Sequence, residues 1–393
     1  MIYLDNSATT RQFDEVTDLI YKISKEKFGN PSSLHSMGFD AEAIIFEARE
    51  RLRDELPDGN IIFTSGGTES NNMSIFSAAG KFGKHGKKII ASKIEHPAIL
   101  EPLKRLEKNG FIVEYLDVDE NGLVDQTQLK EKLDTNTFMV TVMSVNNEVG
   151  TIEPVLPIYK IIQEFNNKKG TEILFHTDAV QAFGKIHFDN APFDLISISG
   201  HKIHGPKGIG ALFIKEGVKL NPFILGGGQE KGMRSGTENV GAIAGLGLAT
   251  LKSYENLFQT SERMKEINDY LMKGLMLEIP DVKLNGNKDT GLELFDYGSR
   301  CPSILNVSFA GIRGEVLLHS LEQDKIFVST GSACSSNKNG GSHVLKAMKL
   351  NEGQINGAIR FSFSEDNTKE EMDFVIDKTK KSVEKLRRIG SLR

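Results

Sequence analysis

Cysteine is nearly missing from this chain: two occur in 393 residues, Cys301 and Cys334. That scarcity excludes a disulfide framework, and it excludes a zinc site unless several histidines stand close by, so no metal centre is expected. Also missing is any uninterrupted apolar run near twenty residues, which excludes a membrane-spanning helix. The opening Met1–Asn6 has neither the basic region nor the long apolar core of a signal peptide. A cytoplasmic protein with both thiols reduced is expected. Basic residues are not in excess either: 48 against 53 acidic ones leave a net charge of -5, so nothing pulls the chain toward nucleic acid or anionic lipid. The small cluster Lys81, Lys84, Lys87 and Lys88 around Gly83 and Gly86 reads as a solvated loop.

What is present is a chain too long for one hydrophobic core, with an ordinary globular composition. Two lobes are expected. Apolar, β-rich runs at 61–63, 88–93, 138–145, 172–175, 194–198 and 210–214 alternate with amphipathic stretches, the pattern of a largely parallel sheet covered on both faces. Beyond residue 255 the pattern changes to helical spacing over 255–278, a strand-like 303–309, and a Gly-rich loop at 329–342. The closing stretch places Met372, Val375, Ile376, Val383 and Leu386 at helical spacing, a helix docked on its own domain.

Open α/β sheets bind ligands beyond the carboxyl ends of their strands. Here those ends are polar: Thr64–Glu69, Glu95–Pro97, Asn146–Glu148, His176–Asp178 and Ser199–Lys202. Gly66, Gly67 and Thr68 form a strand-to-helix turn whose free N–H groups and hydroxyl suit a phosphate, although such a turn also serves as a plain tight connection. Asp178 follows a wholly apolar run, where a carboxylate needs a cationic or hydrogen-bonding partner; a protonated pyridine nitrogen would serve, and so would a helix to cap. Lys202 ends the run Leu195–Ser199, where desolvation favours the neutral amine that forms Schiff bases. Ser199 and His201 beside it suit a phosphate. His96, held at a helix entrance by Pro97, presents a flat ring to the same crevice, or is simply structural.

The two cysteines separate by context. Cys301 precedes Pro302 and an apolar strand, as a packing residue does. Cys334 sits in a small, polar, Gly-rich loop, where a thiol is free to meet a substrate and then a second protein.

These segments resemble the NifS/IscS-like cysteine desulfurases of the class V aminotransferase group. The similarity is carried by Tyr3–Thr10, Phe28–His35, Thr64–Asn71, Ser199–Lys202, Arg234–Asn239 and Gly331–Cys334. It implies the fold type I architecture of pyridoxal-phosphate enzymes: an α/β protein with a large domain built on a mainly parallel seven-stranded sheet (13–255) and a smaller α+β domain (1–12 and 256–393). By the same resemblance Lys202 forms the Schiff base, Asp178 pairs with the pyridine nitrogen, Gln181 meets the phenolic oxygen and His96 stacks on the ring. Gly67, Thr68, Ser199 and His201 belong with the phosphate, and Thr237 reaches the phosphate of a neighbouring subunit, implying a homodimer. Asn147, beside the cofactor, and Arg360 match positions that grip the substrate carboxylate. The implied reaction takes sulfur from L-cysteine as a Cys334 persulfide, leaves alanine, and passes the sulfur to an acceptor protein, an iron–sulfur scaffold or a tRNA-thiolating enzyme. A selenocysteine lyase or cysteine β-lyase of the same fold, and an inactive scaffold paralogue, are the competing readings.

Overall fold

The computed structural model describes residues 1–84, 86–187, 192–330 and 341–390. The chain opens with strand β1 (Ile2–Tyr3) and helices α1 (Asp14–Glu26) and α2 (Ser36–Arg53). It then alternates through β2 (Gly59–Thr64), α3 (Gly67–Phe82), β3 (Lys88–Ser92), α4 (Pro97–Lys108), β4 (Ile112–Leu116) and α5 (Gln126–Lys132). The alternation continues with β5 (Thr137–Thr141), α6 (Val155–Lys169), β6 (Leu174–Asp178), β7 (Leu195–Ser199) and β8 (Gly210–Lys215). Helices α7 (Val240–Glu255) and α8 (Leu257–Glu278) lead to β9 (Val282–Leu284), β10 (Ile304–Phe309), α9 (Gly314–Gln323) and β11 (Ile326–Phe327). The chain finishes with α10 (His343–Ala347), α11 (Glu352–Asn356), β12 (Ala358–Ser362) and α12 (Lys369–Gly390).

A 7-stranded sheet with the order β2-β8-β7-β6-β5-β3-β4 forms the centre. Only β8 runs against its neighbours; the other pairings are parallel. The expected mainly parallel α/β sheet is therefore what the chain builds. Its residues alternate between two apolar clusters, Ile61, Phe63, Ile90, Val140, Phe175 and Ile196 on one side and Ile62, Ile89, Met139, Leu174, Leu195 and Leu212 on the other. A strand buried on both faces must be apolar at every position, which is why these runs lack a polar alternation.

A further core gathers Ile2 and Leu4 with Leu271, Leu275, Val307, Phe309, Phe361, Met372, Val375 and Val383. It joins α8 and α12 to the antiparallel sheet β12-β10-β9 and the β1–β11 pair. The helical spacing read in the closing stretch is thus a buried stripe.

Two local expectations need correction. The run at 138–145 is a regular strand only to Thr141; beyond it Val142 and Ser144 still donate to the His176 and Asp178 carbonyls, and the chain turns at Asn146, which accepts the N–H groups of Glu148 and Val149 at 2.9 and 3.0 Å. Lys88 is not solvated: it lies buried in β3, with Nζ 2.8 Å from Glu114 and 3.1 Å from Asp134. The expected loop end at 342 holds: α10 starts at His343, and the buried Ser342 caps it by accepting the Leu345 N–H at 3.1 Å. Strand β4 escaped the sequence reading because it is an edge strand, with Ile112 exposed and charge at Glu114.

Candidate active site

The parallel strands end on one side, and a cavity of about 300 Å³ opens there. Its lining includes Gly67, Thr68, His96, Asn147, Asp178, Gln181, Ser199, His201, Lys202 and Arg360, so ten of the residues singled out from sequence meet in one place. Thr237 does not line the cavity and is exposed. Cys334 lies outside the described residues. Among the described residues no cluster of side chains suits a metal ion.

At one end of the cavity the first turn of α3 has no side-chain cap. Gly66 adopts φ 150°, and a Cβ on Gly67 would sit 2.8 Å from Val180 Cγ2, so only glycines bring this helix start so close to the turn that follows β6. Thr68, Ser199 and His201 surround it. Open N–H groups at a helix start favour an anion. Burial, and then the charge of Lys202, lowers the His201 pKa to about 4, leaving a neutral ring whose Nδ1 lies 3.2 Å from the Thr9 hydroxyl.

At the other end Asp178 is buried at the close of β6. Its Oδ2 accepts from Asn71 Nδ2 at 2.6 Å and its Oδ1 from the Val180 N–H at 3.0 Å. Both donors are neutral, which leaves this carboxylate facing the cavity without a full counter-charge among its hydrogen-bond partners. Asn71 was inside a motif noticed in the sequence, but nothing in sequence showed that it turns toward Asp178.

Between these ends, Lys202 Nζ donates to the carbonyls of Ser7 and Ala8 at 2.5 and 2.8 Å. The Ser7 carbonyl also accepts from Gln181 Nε2 at 3.0 Å, while Gln181 Oε1 accepts from the buried Lys185 at 2.6 Å. Burial lowers the Lys185 pKa to about 7. His96 is the N-cap of α4, its Nδ1 accepting the Ala98 N–H at 3.1 Å. Burial lowers its pKa as well, against the pull of Asp178.

On the far wall Arg360 is buried, with Nη1 2.8 Å from the Asn147 carbonyl and Nη2 2.8 Å from Asp5 Oδ1. Its backbone N–H and carbonyl pair with Ser329, at the start of the Gly-rich stretch. Glu148 beside it receives the Ser342 hydroxyl at 2.5 Å, and burial pushes its carboxyl up to about 7. Glu95 is fully buried under His96 and is pushed up to about 8. His343, which the sequence reading did not single out, also lines the cavity.

The residues present fit pyridoxal phosphate: an anion cradle at an open helix start, an amine at mid-cavity, and a buried carboxylate whose hydrogen-bond donors among the described residues are neutral. A mainly parallel α/β sheet with this lysine and carboxylate at its strand ends defines a pyridoxal-phosphate enzyme of fold type I. The family model for class-V aminotransferases matches residues 2–375. The chain is 44% identical to a cysteine desulfurase IscS of Dictyoglomus turgidum, over 99% of this chain and 96% of that one. It is 40% identical to a cysteine desulfurase IscS of Methanosarcina thermophila, over 100% and 94% of the two chains. A solved NifS-like protein superposes with a TM-score of 0.89 at 38% identity, over 98% of this chain and 100% of the other. The chain therefore belongs to the class-V aminotransferase family and, within it, to the cysteine desulfurases, which are pyridoxal-phosphate enzymes.

Proposed function

We propose that this protein removes sulfur from L-cysteine, releasing L-alanine and retaining the sulfur as a persulfide on Cys334 for delivery to an acceptor protein. The observation that carries the reading is the placement of Lys202 and Asp178 in one cavity with an anion cradle and a buried arginine. Pyridoxal phosphate, when bound there, supplies an electron sink.

In this proposal Lys202 holds the aldehyde end of the cofactor and, released from it, moves the proton of the substrate α-carbon. Asp178 supplies the counter-charge for the ring nitrogen, and Gln181 Nε2 serves the phenolic oxygen, its amide already oriented by Lys185. Gly67, Thr68, Ser199 and His201 keep the phosphate. His96 stacks on the ring, and its Nδ1 bond to Ala98 leaves Nε2 as the proton-bearing nitrogen. Arg360 takes the substrate carboxylate by charge-assisted hydrogen bonds, with Asn147 beside it. The thiolate of Cys334 attacks the substrate sulfur: a sulfur–sulfur bond forms, the carbon–sulfur bond breaks, and its electron pair stays with the organic fragment, which gains a proton and leaves as alanine.

The test is the product balance: alanine must appear from L-cysteine in the presence of a thiol reductant, and pyruvate must not. Arg360→Lys keeps the charge but loses the planar fork. We expect KM for L-cysteine to rise roughly 10- to 100-fold, the worth of a charged hydrogen bond, with cofactor absorbance retained. An unchanged KM would remove Arg360 from the substrate site.

The same proposal includes a homodimer in which Thr237 completes the partner's phosphate site. Supporting it, Phe28, Leu34, Phe39, Phe46 and Leu225 are large apolar residues more than half exposed, apolar surface of the kind that an interface covers. A solution mass equal to one chain would overturn it. We also propose that 13–255 acts as the cofactor lobe and 1–12 with 256–393 as the lobe carrying Arg360 and Cys334, supported by the separate core behind β10 and β12. Among the described residues no helix is long and apolar enough to cross a membrane. A cytoplasmic location, and an iron–sulfur scaffold or a tRNA-thiolating enzyme as sulfur acceptor, belong to the proposal too.

A further inference from the structure

Two imidazoles line the cavity with opposite proton assignments. His96 Nδ1 accepts a backbone N–H from Ala98 at 3.1 Å, so in the neutral ring the proton sits on Nε2 and His96 is a donor toward the cavity. His343 is the first residue of α10, and its Nε2 lies 2.9 Å from the carbonyl oxygen of Glu95. A carbonyl can only accept, so that nitrogen carries the proton and Nδ1 carries the lone pair. Among the described residues nothing hydrogen-bonds to that Nδ1. Burial lowers the pKa of both rings, and for His343 Lys104 adds to the effect while the Glu95 carbonyl opposes it. The other bases on the cavity wall are engaged: Asp178 accepts two hydrogen bonds, Glu148 accepts from Ser342, and His201 Nδ1 meets Thr9.

We propose that His343 is the proton acceptor for a thiol entering this cavity, the complement of the donor His96. The inference rests on the desulfurase reading, in which a thiol must become a thiolate. The S–H bond breaks, sulfur keeps the electron pair, Nδ1 takes the proton, and the imidazolium returns it to solvent. The charged and titratable groups that share the cavity wall with it are His96, Glu148, Asp178, His201, Lys202 and Arg360; Glu95 lies at its Nε2, and the charge of Lys104 acts on it.

The variant His343→Gln keeps an N–H for the Glu95 carbonyl but has no base. With the holoenzyme at saturating L-cysteine and pH 7, we expect single-turnover alanine formation to fall roughly 100-fold or more, the usual loss of a positioned base. Cofactor absorbance and thermal midpoint should stay unchanged. The deficit should shrink as pH rises toward the thiol pKa of about 8.5, where sulfur ionises unaided. Added imidazole should restore part of the rate to His343→Ala. Alkylation of Cys334 by iodoacetamide without substrate identifies the thiol: slower alkylation in the variant assigns the proton to Cys334, and unchanged alkylation with slow turnover assigns it to the substrate. Wild-type turnover in His343→Gln overturns the proposal, as does a loss that neither pH nor imidazole relieves. Failure of the desulfurase reading is separate, because wild type would then make no alanine at all.

Discussion

Replacing Lys202 with alanine is expected to abolish alanine formation, by roughly 10²- to 10⁴-fold from the lost proton transfer alone, and to remove the covalent attachment of the cofactor. Lys202 is the only lysine among the described residues that line the cavity. Its amine is held by the Ser7 and Ala8 carbonyls at mid-cavity, so it does not have to be recruited from solvent. The one rival is Lys185, an amine that burial brings down to about 7 and so makes available as the free base. It sits one layer behind, committed to Gln181 Oε1, and it does not line the cavity. Borohydride reduction of the holoenzyme followed by peptide mapping decides between them. The cofactor should be fixed to Lys202 in wild type and in Lys185→Met, and to no lysine in Lys202→Ala. A cofactor fixed to Lys185 would reassign the site.

The second large effect is on sulfur. In Cys334→Ala, alanine formation should fall roughly 100-fold or more, as for loss of a covalent nucleophile, while L-cysteine still changes the cofactor absorbance. Cys301→Ala should keep full activity. Cys301 is fully buried, its Sγ 3.3 Å from the Ser303 hydroxyl, and burial pushes its thiol pKa up. A nucleophilic cysteine needs thiolate character and access, and this one has neither. Its replacement creates a small core void and costs about 1–3 kcal/mol of stability, so a lower thermal midpoint at unchanged rate is the expected pair of readings. An inactive Cys301→Ala that still folds and binds cofactor would show that the wrong cysteine had been chosen.

The cavity-forming residues were legible in sequence where chemistry and strand position coincide. Asp178 and Lys202 each follow a buried apolar run, and a charged group there is too costly to be idle. His96 was legible through Pro97, which fixes the helix entrance. Contacts made by residues distant in the chain were not legible. Asn71 reaches Asp178, Asp5 reaches Arg360, and Ser342 reaches Glu148 only because the fold brings them together. Lys88 misled because its neighbours Gly83 and Gly86 mark a turn, while its own partners Glu114 and Asp134 lie far along the chain. His343 carried no sequence signal, since its role depends on which nitrogen meets the Glu95 carbonyl. Thr237 lies outside the cavity, and its assignment depends on a second copy of the chain.

The central claim is that sulfur moves from L-cysteine to Cys334, and mass spectrometry of peptides from the holoenzyme after a brief exposure to L-cysteine, without reductant, tests it most directly. One extra sulfur atom on the peptide containing Cys334, with an equal amount of alanine, is the predicted result. An unmodified Cys334 accompanied by free sulfide and pyruvate, or a sulfur found on Cys301, would contradict it.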